Sequence, residues 1–465
     1  MKKGAVIDSV AITGISSEGK GVGRVNGQVV FIKDTVPGDV VKAKVIGKKK
    51  KFLEAYVTEL LEESSERSSP FCEHFGLCGG CKWQHMTYEA QLKYKQSHVE
   101  ENLQKLSGLN LPKTLPIIGS AKTSFYRNKL EFTFSNFRWL TKEEILSDEE
   151  HIRTGLGFHI PKQYNKIVNI NKCHLQSDPS NDIRLKIKYF ADEHDISFYD
   201  VKKQEGFLRN LIIRTASTGE VMVILQVYYR DQEIMDLVMK FIQSEFPEVT
   251  SLMYVINEKG NDSYSDLNVE LFAGKDHIME QMGDLKFKIG PKSFYQTNSE
   301  QAHELYKVAA DFADLKGGEL VYDLYTGTGT IANFVAKSAK KVVGIEYVED
   351  AIKDAFVNSE LNGITNTDFY AGDMKDLLND EFINMHGKPD VIITDPPRAG
   401  MHPKVTELLT NLRADKIVYV SCNPATQARD LEVLGKAYEV TQIQPVDMFP
   451  QTAHVECVVL LELSK

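Results

Sequence analysis

The first 62 residues alternate short runs of apolar and β-branched side chains with glycine-containing turns. The clearest runs are residues 28–32 and 52–57. Closely spaced strands with turns between them are typical of a small antiparallel barrel, which is what this segment predicts. The polar stretch 62–70 offers no apolar side chain to bury and ends in a proline, so we expect it to be a linker.

The region from about residue 85 to 290 has a mixed pattern of apolar and polar positions. A helix is predicted at 89–106, and β-like apolar runs occur at 130–134 and 221–225. Neither the helical nor the strand period dominates. We therefore expect a central α+β region, without predicting the order of its strands.

Beyond residue 300 the pattern becomes regular. Apolar runs occur at 319–325, 342–346, 390–395, 416–422, 438–444 and 455–463. Helix-like intervals separate most of them, and strands that alternate with helices predict a mostly parallel sheet covered on both faces. The last two runs leave no room for a crossover helix, so they should form an antiparallel hairpin.

A chain of 465 residues exceeds what one hydrophobic core usually supports, so we expect a multidomain protein. The patterns divide it into residues 1–62, 63–285 and 286–465. Its 42% hydrophobic and 26% charged residues exclude wholesale disorder. No apolar run is long enough to cross a bilayer or to act as a secretory signal, so we expect a cytoplasmic protein with no membrane partner.

The net charge of -10 excludes a uniformly basic nucleic-acid binder, so any such contact must come from local patches. One patch is visible, because residues 1–60 carry 11 Lys and Arg against 6 Asp and Glu. It includes the lysine run 48–51. By itself, a run of this kind is more typical of a solvated turn.

A glycine-rich turn predicts a nucleotide-like cofactor. The sequence Asp-Leu-Tyr-Thr-Gly-Thr-Gly-Thr at 323–330 ends a strand and opens a helix, and Gly327 and Gly329 would let the backbone pass close to a ligand. The next strand ends at Glu346, where a carboxylate can accept hydrogen bonds from ribose hydroxyls. This spacing suits a dinucleotide or S-adenosylmethionine. Asp373 either meets the adenine or is a helix N-cap, and the sequence leaves both open.

Three chain-distant residues are expected at the same sheet edge. Asp395 ends one predicted strand, and Cys422 follows the next. If the final strand is antiparallel, its beginning, His-Val-Glu at 454–456, also lies at this edge and brings Glu456 there. An isolated cysteine is usually a buried apolar residue, but a position beside a cofactor cleft favours a reactive one.

These segments resemble the RNA (uracil-C5)-methyltransferase family. The matching motifs are Asp-Pro-Pro-Arg at 395–398, Ser-Cys-Asn-Pro at 421–424, Phe-Pro-Gln-Thr at 449–452 and His-Val-Glu at 454–456. The resemblance implies that Cys422 is a nucleophile adding to uracil carbon 6 and that Glu456 is the base removing the proton on carbon 5. Asp395 would accept the uracil imide N–H, help to hold the cofactor, or do both.

The resemblance also implies the remaining site residues. S-adenosylmethionine would be held by Gln296, Tyr325, Thr330, Glu346, Asp373 and Asp395. Phe294 would stack on a target base that is flipped out or already single-stranded. The family often has a cysteine where this chain has Thr326, which touches none of these roles.

The N-terminal segment resembles a TRAM domain, an OB-like RNA-binding module, through Gly-Lys-Gly-Val-Gly at 19–23 and Val-Pro-Gly-Asp at 36–39. The implied partner is RNA and not DNA. Phosphate contacts are expected from this module and from basic residues such as Arg127 and Lys129, although each is individually more typical of solvated surface charge. Such contacts weaken steeply with salt.

Four cysteines form a candidate metal site. Cys72, Cys78 and Cys81 have the spacing C-x5-C-x2-C, and Cys173 lies far downstream. Spacing alone leaves zinc and a [4Fe-4S] cluster open. Resemblance to the large-subunit rRNA enzymes implies the cluster, and through it 23S rRNA rather than tRNA as substrate. His74 and His174 are expected to be bystanders.

Two rival interpretations remain at this stage. An Asp-Pro-Pro turn also suits methylation of an exocyclic nitrogen, but that activity leaves Cys422 and Glu456 without a role. A non-catalytic RNA-binding assembly factor with an iron-sulfur cluster belongs to a different class. The sequence does not identify the uridine, and a monomer is the simpler expectation.

Overall fold

A computed structural model describes all 465 residues and begins with a closed five-stranded barrel. Its strands are β1 (Val6–Ile15), β2 (Gly21–Val25), β3 (Gln28–Lys33), β4 (Val40–Lys48) and β5 (Phe52–Glu62). The predicted barrel is confirmed, but it is not purely antiparallel. Strand β4 pairs with β1, and β5 lies between β4 and β3. The barrel is therefore closed by one parallel pair, β3 with β5.

The predicted linker at 62–70 contains no helix and, after the last residue of β5, no strand, but hydrogen bonds hold it to the barrel. The carboxylate of Asp39, fully buried in the barrel, accepts the Ser64 N–H at 3.0 Å. It also accepts two hydrogen bonds from the Arg67 guanidinium, each at 2.8 Å. Burial here depends on hydrogen bonding and not on apolar side chains, so the hydrophobic pattern gave no sign of it.

The central region contains a seven-stranded sheet in the order β12-β11-β10-β9-β6-β7-β8, in which only β10 and β11 pair in parallel. Its elements, with the helix α1 that precedes them, are α1 (Tyr88–Leu106), β6 (Lys129–Ser135), α2 (Lys142–Leu146), β7 (Gly155–Ile160), β8 (Gln163–Asn169), α3 (Ser180–Glu193), β9 (Leu208–Thr215), β10 (Val221–Val227), α4 (Gln232–Glu245), β11 (Val249–Ile256) and β12 (Val269–Gly274). The predicted helix at 89–106 is present as α1.

The C-terminal region is an α/β layer structure preceded by a hairpin. Its elements are β13 (Ile278–Met282), β14 (Leu285–Ile289), α5 (Ser299–Ala313), β15 (Leu320–Leu324), α6 (Thr330–Ala336), β16 (Lys341–Glu346), α7 (Glu349–Leu361), β17 (Thr367–Ala371), α8 (Met374–Leu377), α9 (Asp380–His386), β18 (Val391–Thr394), α10 (Pro403–Leu412), β19 (Lys416–Ser421), α11 (Pro424–Leu434), β20 (Tyr438–Val446) and β21 (Glu456–Leu463). Helix α1 packs on α11, and its Val99 and Leu103 join this region's core.

The C-terminal sheet has the order β17-β16-β15-β18-β19-β21-β20. Strands β15 to β19 pair in parallel, whereas β21 is antiparallel to both of its neighbours, which confirms the predicted hairpin. Because β21 lies between β19 and β20, its first residue lies at the edge where the parallel strands end. None of the helices is long and apolar enough to span a membrane.

Candidate active site

A cleft of about 1050 Å³ opens at the carboxyl edge of the parallel strands. Six of the predicted cofactor residues line it: Gln296, Tyr325, Gly327, Glu346, Asp373 and Asp395. Phe294, Cys422 and Glu456 line it as well. Ligands of open α/β sheets bind at this edge, so the structure brings the glycine turn and the candidate catalytic groups to one site.

The strand register sets Cys422 opposite Glu456. Ser421, the last residue of β19, pairs with Cys457 of β21. In an antiparallel pair the next positions outward are Cys422 and Glu456, so their side chains are cross-strand neighbours. Glu456 is 5% exposed and Cys422 is half-buried.

Burial shapes the acid-base behaviour of both residues. It raises the pKa of Glu456 to about 8, and the nearby Asp395 adds to the rise. Burial also raises the pKa of Cys422 to about 11, with smaller contributions from the charges of Glu456 and Asp395, while Arg398 opposes the rise. In the free cleft both groups therefore favour their protonated forms at neutral pH.

Two further carboxyl groups at this edge lack a compensating cation. Burial raises the pKa of Asp395 to about 7. Asp323, at the end of β15, is fully buried, and burial raises its pKa to about 7 although its Oδ2 accepts the Thr326 hydroxyl. Its Oδ1 has no hydrogen-bond partner. This acidic environment fits a ligand with a permanent positive charge, such as the sulfonium of S-adenosylmethionine.

Sequence reasoning quoted Asp323 as part of the glycine motif but gave it no role. The available signal was a carboxylate inside an otherwise apolar strand. Such a residue is rarely buried without a partner, so it points to a functional site.

The glycine turn holds an unusual backbone conformation. Tyr325 has a φ of +62°, a left-handed conformation that is costly for an aromatic residue and that clusters at ligand sites. The Gly327 N–H donates to Glu346 Oε2 at 3.2 Å, and the Val348 N–H donates to Oε1 at 3.1 Å. A carboxylate accepts about four hydrogen bonds, so Glu346 is held in place and retains capacity for ribose hydroxyls.

Two predicted cofactor residues, Gly329 and Thr330, do not line the cleft. A Cβ on Gly329, whose φ is +75°, would come within 2.9 Å of the Ala355 Cβ. Thr330 is 8% exposed and lies beside Thr328. Their positions indicate that they shape the turn through close packing.

Asp373 caps a helix and lines the cleft at the same time, so its role as an N-cap does not prevent a contact with the adenine of a cofactor. Asp373 is the N-cap of α8, and its side chain accepts the Lys375 N–H at 3.2 Å. It also binds the Lys375 ammonium at 2.6 Å and lines the cleft.

The predicted substrate residues are placed differently. Phe294 is 68% exposed and presents an open aromatic ring at the cleft. Arg127 lies outside the cleft lining, with its guanidinium 5.8 Å from the ring centroid of Phe449, which does line it. Lys129 is half-buried near the Tyr264 ring, and burial lowers its pKa to about 8. Lys129 is therefore not a freely solvated cation.

The loop that leads into Glu456 is held by residues from the N-terminal half of the chain. The Lys95 ammonium donates to Asp447 at 2.6 Å, and both side chains are fully buried. The Lys82 and Trp83 N–H groups donate to the Gln451 carbonyl at 2.8 and 3.0 Å. Sequence reasoning missed this anchoring, because nothing in a polar helix shows which lysine is buried.

The four candidate metal ligands meet in one place. Cys72, Cys78, Cys81 and Cys173 line a small cavity whose other walls include apolar side chains, and we call it the four-cysteine cavity. Within the 465 residues, no group of three or more His, Cys, Asp or Glu side chains is arranged as it stands to hold a metal ion.

His74 and His174 also border the four-cysteine cavity. His74 Nε2 accepts the Asn171 N–H at 2.9 Å. The His174 ring packs against Phe71 and Phe125.

Comparison with known proteins identifies related chains. A family model of tRNA (uracil-5-)-methyltransferases matches residues 268–464, and a TRAM-domain model matches residues 3–58. An RNA methyltransferase of Bacteroides thetaiotaomicron is 57% identical over 97% of this chain and 100% of its own length. One of Porphyromonas gingivalis is 50% identical over 97% of this chain and 98% of its own.

A solved structure is similar over nearly the whole chain. The Pyrococcus abyssi tRNA (uracil-54, C5)-methyltransferase, bound to S-adenosyl-L-homocysteine, has a TM-score of 0.75 and is 28% identical, with 97% of this chain and 99% of that one covered. The predicted TRAM domain and S-adenosylmethionine-dependent fold are thereby confirmed. The full-length identity to RNA methyltransferases and the family match over the sheet with the acidic cleft show that the chain belongs to the S-adenosylmethionine-dependent RNA (uracil-5) methyltransferase family.

Proposed function

We propose that the chain methylates carbon 5 of one uridine in RNA through a covalent adduct between Cys422 and uracil carbon 6. The observation that carries the proposal is the placement of Cys422 and Glu456 at facing strand positions in the cleft of the glycine turn. Uracil carbon 5 is a weak nucleophile, and covalent catalysis replaces one difficult step by two easier ones.

The residues of the cleft divide the reaction between them. The Cys422 thiolate forms a bond to carbon 6, and the displaced electron pair makes carbon 5 an enolate nucleophile. S-adenosylmethionine, when bound, would supply an electrophilic methyl group to carbon 5, with S-adenosylhomocysteine as the leaving group. Glu456 then removes the proton from carbon 5, and the returning electron pair expels the Cys422 thiolate.

The electrostatics of the cleft fit this sequence. Without a ligand, Cys422 and Glu456 favour their neutral forms because burial raises the pKa of each. A positive charge in the cleft lowers both pKa values and favours the thiolate and carboxylate that the reaction needs. Asp395 lines the same cleft, and in this proposal it accepts the uracil imide N–H, helps to hold the cofactor, or does both.

The substrate we propose is 23S rRNA, methylated by a monomer in the cytoplasm. The support is the RNA-binding TRAM domain together with the four-cysteine cavity, through which the chain resembles the large-subunit rRNA enzymes. Transfer RNA is a second candidate, because the similar Pyrococcus abyssi structure is a tRNA (uracil-54, C5)-methyltransferase.

We further propose that Cys72, Cys78, Cys81 and Cys173 hold a [4Fe-4S] cluster. The support is that the four cysteines line one cavity and supply the four thiolates that such a cluster needs, and that the resemblance to the large-subunit rRNA enzymes implies iron and not zinc. Lys82 and Trp83 follow Cys81 directly and hold Gln451, so the cluster would stabilise the loop before Glu456. Anaerobic purification with iron, sulfide and zinc analysis tests this, and zinc without iron or sulfide refutes it.

The activity is tested in a strain that lacks the gene. Mapping of 5-methyluridine in 23S rRNA and tRNA, with and without the restored chain, identifies the substrate. We expect Cys422→Ala to restore no methylation and Cys457→Ala, a matched control on the opposite face of β21, to restore it. Unchanged methylation with Cys422→Ala would refute the covalent mechanism and favour a non-catalytic factor.

A further inference from the structure

A second cavity, of about 620 Å³, opens on the central seven-stranded sheet and shares no lining residue with the cleft. We call it the sheet cavity. Phe134 of β6, His159 of β7, Tyr164 of β8 and Asn210 of β9 line it, together with Tyr199 and Asp262. None of these residues takes part in the reaction proposed above.

Two almost fully buried side chains of the sheet cavity each have a polar atom without a partner, and Nδ1 of the half-buried His159 is a third such atom. Asn210 is 1% exposed, and its Nδ2 donates to Glu131 at 3.3 Å while its Oδ1 has no partner. Tyr199 is 5% exposed, and its hydroxyl is also unpaired. Buried polar groups are almost always hydrogen-bonded, so two unpaired groups around one cavity indicate a polar ligand.

The rim of the sheet cavity combines an aromatic ring with positive charge. Tyr164 is 67% exposed and offers a stacking surface. Lys162 lines the cavity beside Tyr164. Lys162 also lies near Glu18 and Glu54 of the barrel, where it adds to the lowering of their pKa by Lys20. Lys202 adjoins the lining residue Val201. Aromatic rings with neighbouring cations are the surface that single-stranded nucleic acid prefers.

The sheet cavity adjoins the catalytic cleft. Asp262 lines the cavity and Ser265 lines the cleft, and three residues of chain span at most roughly 10 Å. The shared wall is fixed, because buried Arg209 donates to the carbonyl groups of Asn257, Lys259 and Asn261 and to the Asp262 carboxylate. A ligand of the cavity therefore lies next to a ligand of the cleft.

We propose that the sheet cavity binds an adenine base of the same RNA strand, close to the methylated uridine; this rests on the function proposed above. Oε1 of Glu131 accepts a hydrogen bond from Nδ2 of Asn210, which leaves Oδ1 for the cavity. An amide in this orientation pairs with adenine, accepting from the N6 amine at Oδ1 and donating its second Nδ2 proton to N7. Tyr164 stacks on the base.

Binding of chemically altered RNA tests the contact at the level of single atoms. The probe is an RNA fragment that the wild-type chain methylates, in which each adenosine near the target uridine is replaced in turn by purine riboside, which lacks the N6 amine, or by 7-deazaadenosine, which lacks N7. We expect one position at which each replacement weakens binding to the wild-type chain about 10-fold. Asn210→Ala should bind the unaltered RNA as weakly and be insensitive to both replacements.

Controls separate this contact from a loss of folding. Tyr199→Phe should weaken binding of the unaltered RNA, whereas Tyr189→Phe, on exposed α3 surface outside the cavity, should not. Both Asn210→Ala and Tyr199→Phe should raise the KM for RNA and leave S-adenosylmethionine affinity unchanged. Equal sensitivity of wild type and Asn210→Ala to every replacement would overturn the adenine site. A folded wild-type chain that methylates neither 23S rRNA nor tRNA would overturn the proposed function, and this inference with it.

Discussion

The buried ion pair between Lys95 and Asp447 should be essential for the loop that precedes Glu456. Both side chains are fully buried, and the 2.6 Å contact joins helix α1 to residues 352 positions away in the sequence. Asp447 also accepts the Tyr88 hydroxyl and the Phe449 N–H, each at 3.0 Å. Removal of either charge therefore leaves the other buried without its partner.

The size of the effect follows from the burial of the pair. Lys95→Met and Asp447→Asn should each lower the free energy of unfolding by about 3–5 kcal/mol, the usual cost of an uncompensated buried charge. The combined variant Lys95→Met with Asp447→Asn should cost about 1–3 kcal/mol less than the sum of its single changes, because it leaves no unpaired charge.

Tryptophan fluorescence can follow this region selectively. The chain has two tryptophans, Trp83 and Trp139. Trp83 is 2% exposed, and the Lys95 ammonium lies 5.8 Å from its ring centroid. Urea denaturation in a Trp139→Phe background thus reports on the ion pair. Single changes that cost less than about 1 kcal/mol, or that add without coupling, would refute the reasoning.

Three further predictions concern the cleft. Because burial raises the pKa of Asp323 and Asp395 to about 7 and of Glu456 to about 8, folding takes up protons, and the free energy of unfolding should fall as the pH rises from about 5 to 9. Urea denaturation at several pH values across this range measures the free energy of unfolding. Asp323→Asn should make its dependence on pH less steep, and a free energy of unfolding that does not change with pH would contradict the prediction. Calorimetry over the same pH range should show a rising affinity for S-adenosylmethionine relative to S-adenosylhomocysteine, which lacks the sulfonium charge. A constant ratio of the two affinities would show that these carboxyl groups do not attract the sulfonium. Phe294→Ala should raise the KM for RNA about 10-fold through lost stacking and leave cofactor affinity unchanged, and an unchanged KM would remove Phe294 from the base-binding surface.

The convergence of Cys422 and Glu456 at one sheet edge was predictable because it depends on strand direction. The segment between β20 and β21 is too short for a crossover helix, so β21 is antiparallel to β20 and begins at the edge where the parallel strands end. The insertion of β21 between β19 and β20, which sets Glu456 opposite Cys422, does not follow from local sequence. Strand β17 was harder to identify, because it lies at the sheet edge and only Phe369 of its residues is buried.

The remaining features depend on contacts that local sequence does not encode. Helix α1 was predicted from its pattern, but its packing on α11 and the burial of Lys95 come from partners in the C-terminal region. Similarly, every residue of β10 is buried and all but the last of β9, so no alternation shows that Asn210 borders a cavity. Polar residues that become buried through distant partners form most of what sequence reasoning missed.

The covalent mechanism is tested most directly by trapping its intermediate. Glu456→Gln keeps the shape of the side chain and removes the base, so the adduct should form and accept the methyl group but fail to release Cys422. Incubated with S-adenosylmethionine and the substrate RNA, this variant should give a protein-RNA band that survives denaturing electrophoresis. The same variant with Cys422→Ala should give none. A Glu456→Gln chain that releases methylated RNA without a trapped band, or a band that persists without Cys422, would contradict the mechanism.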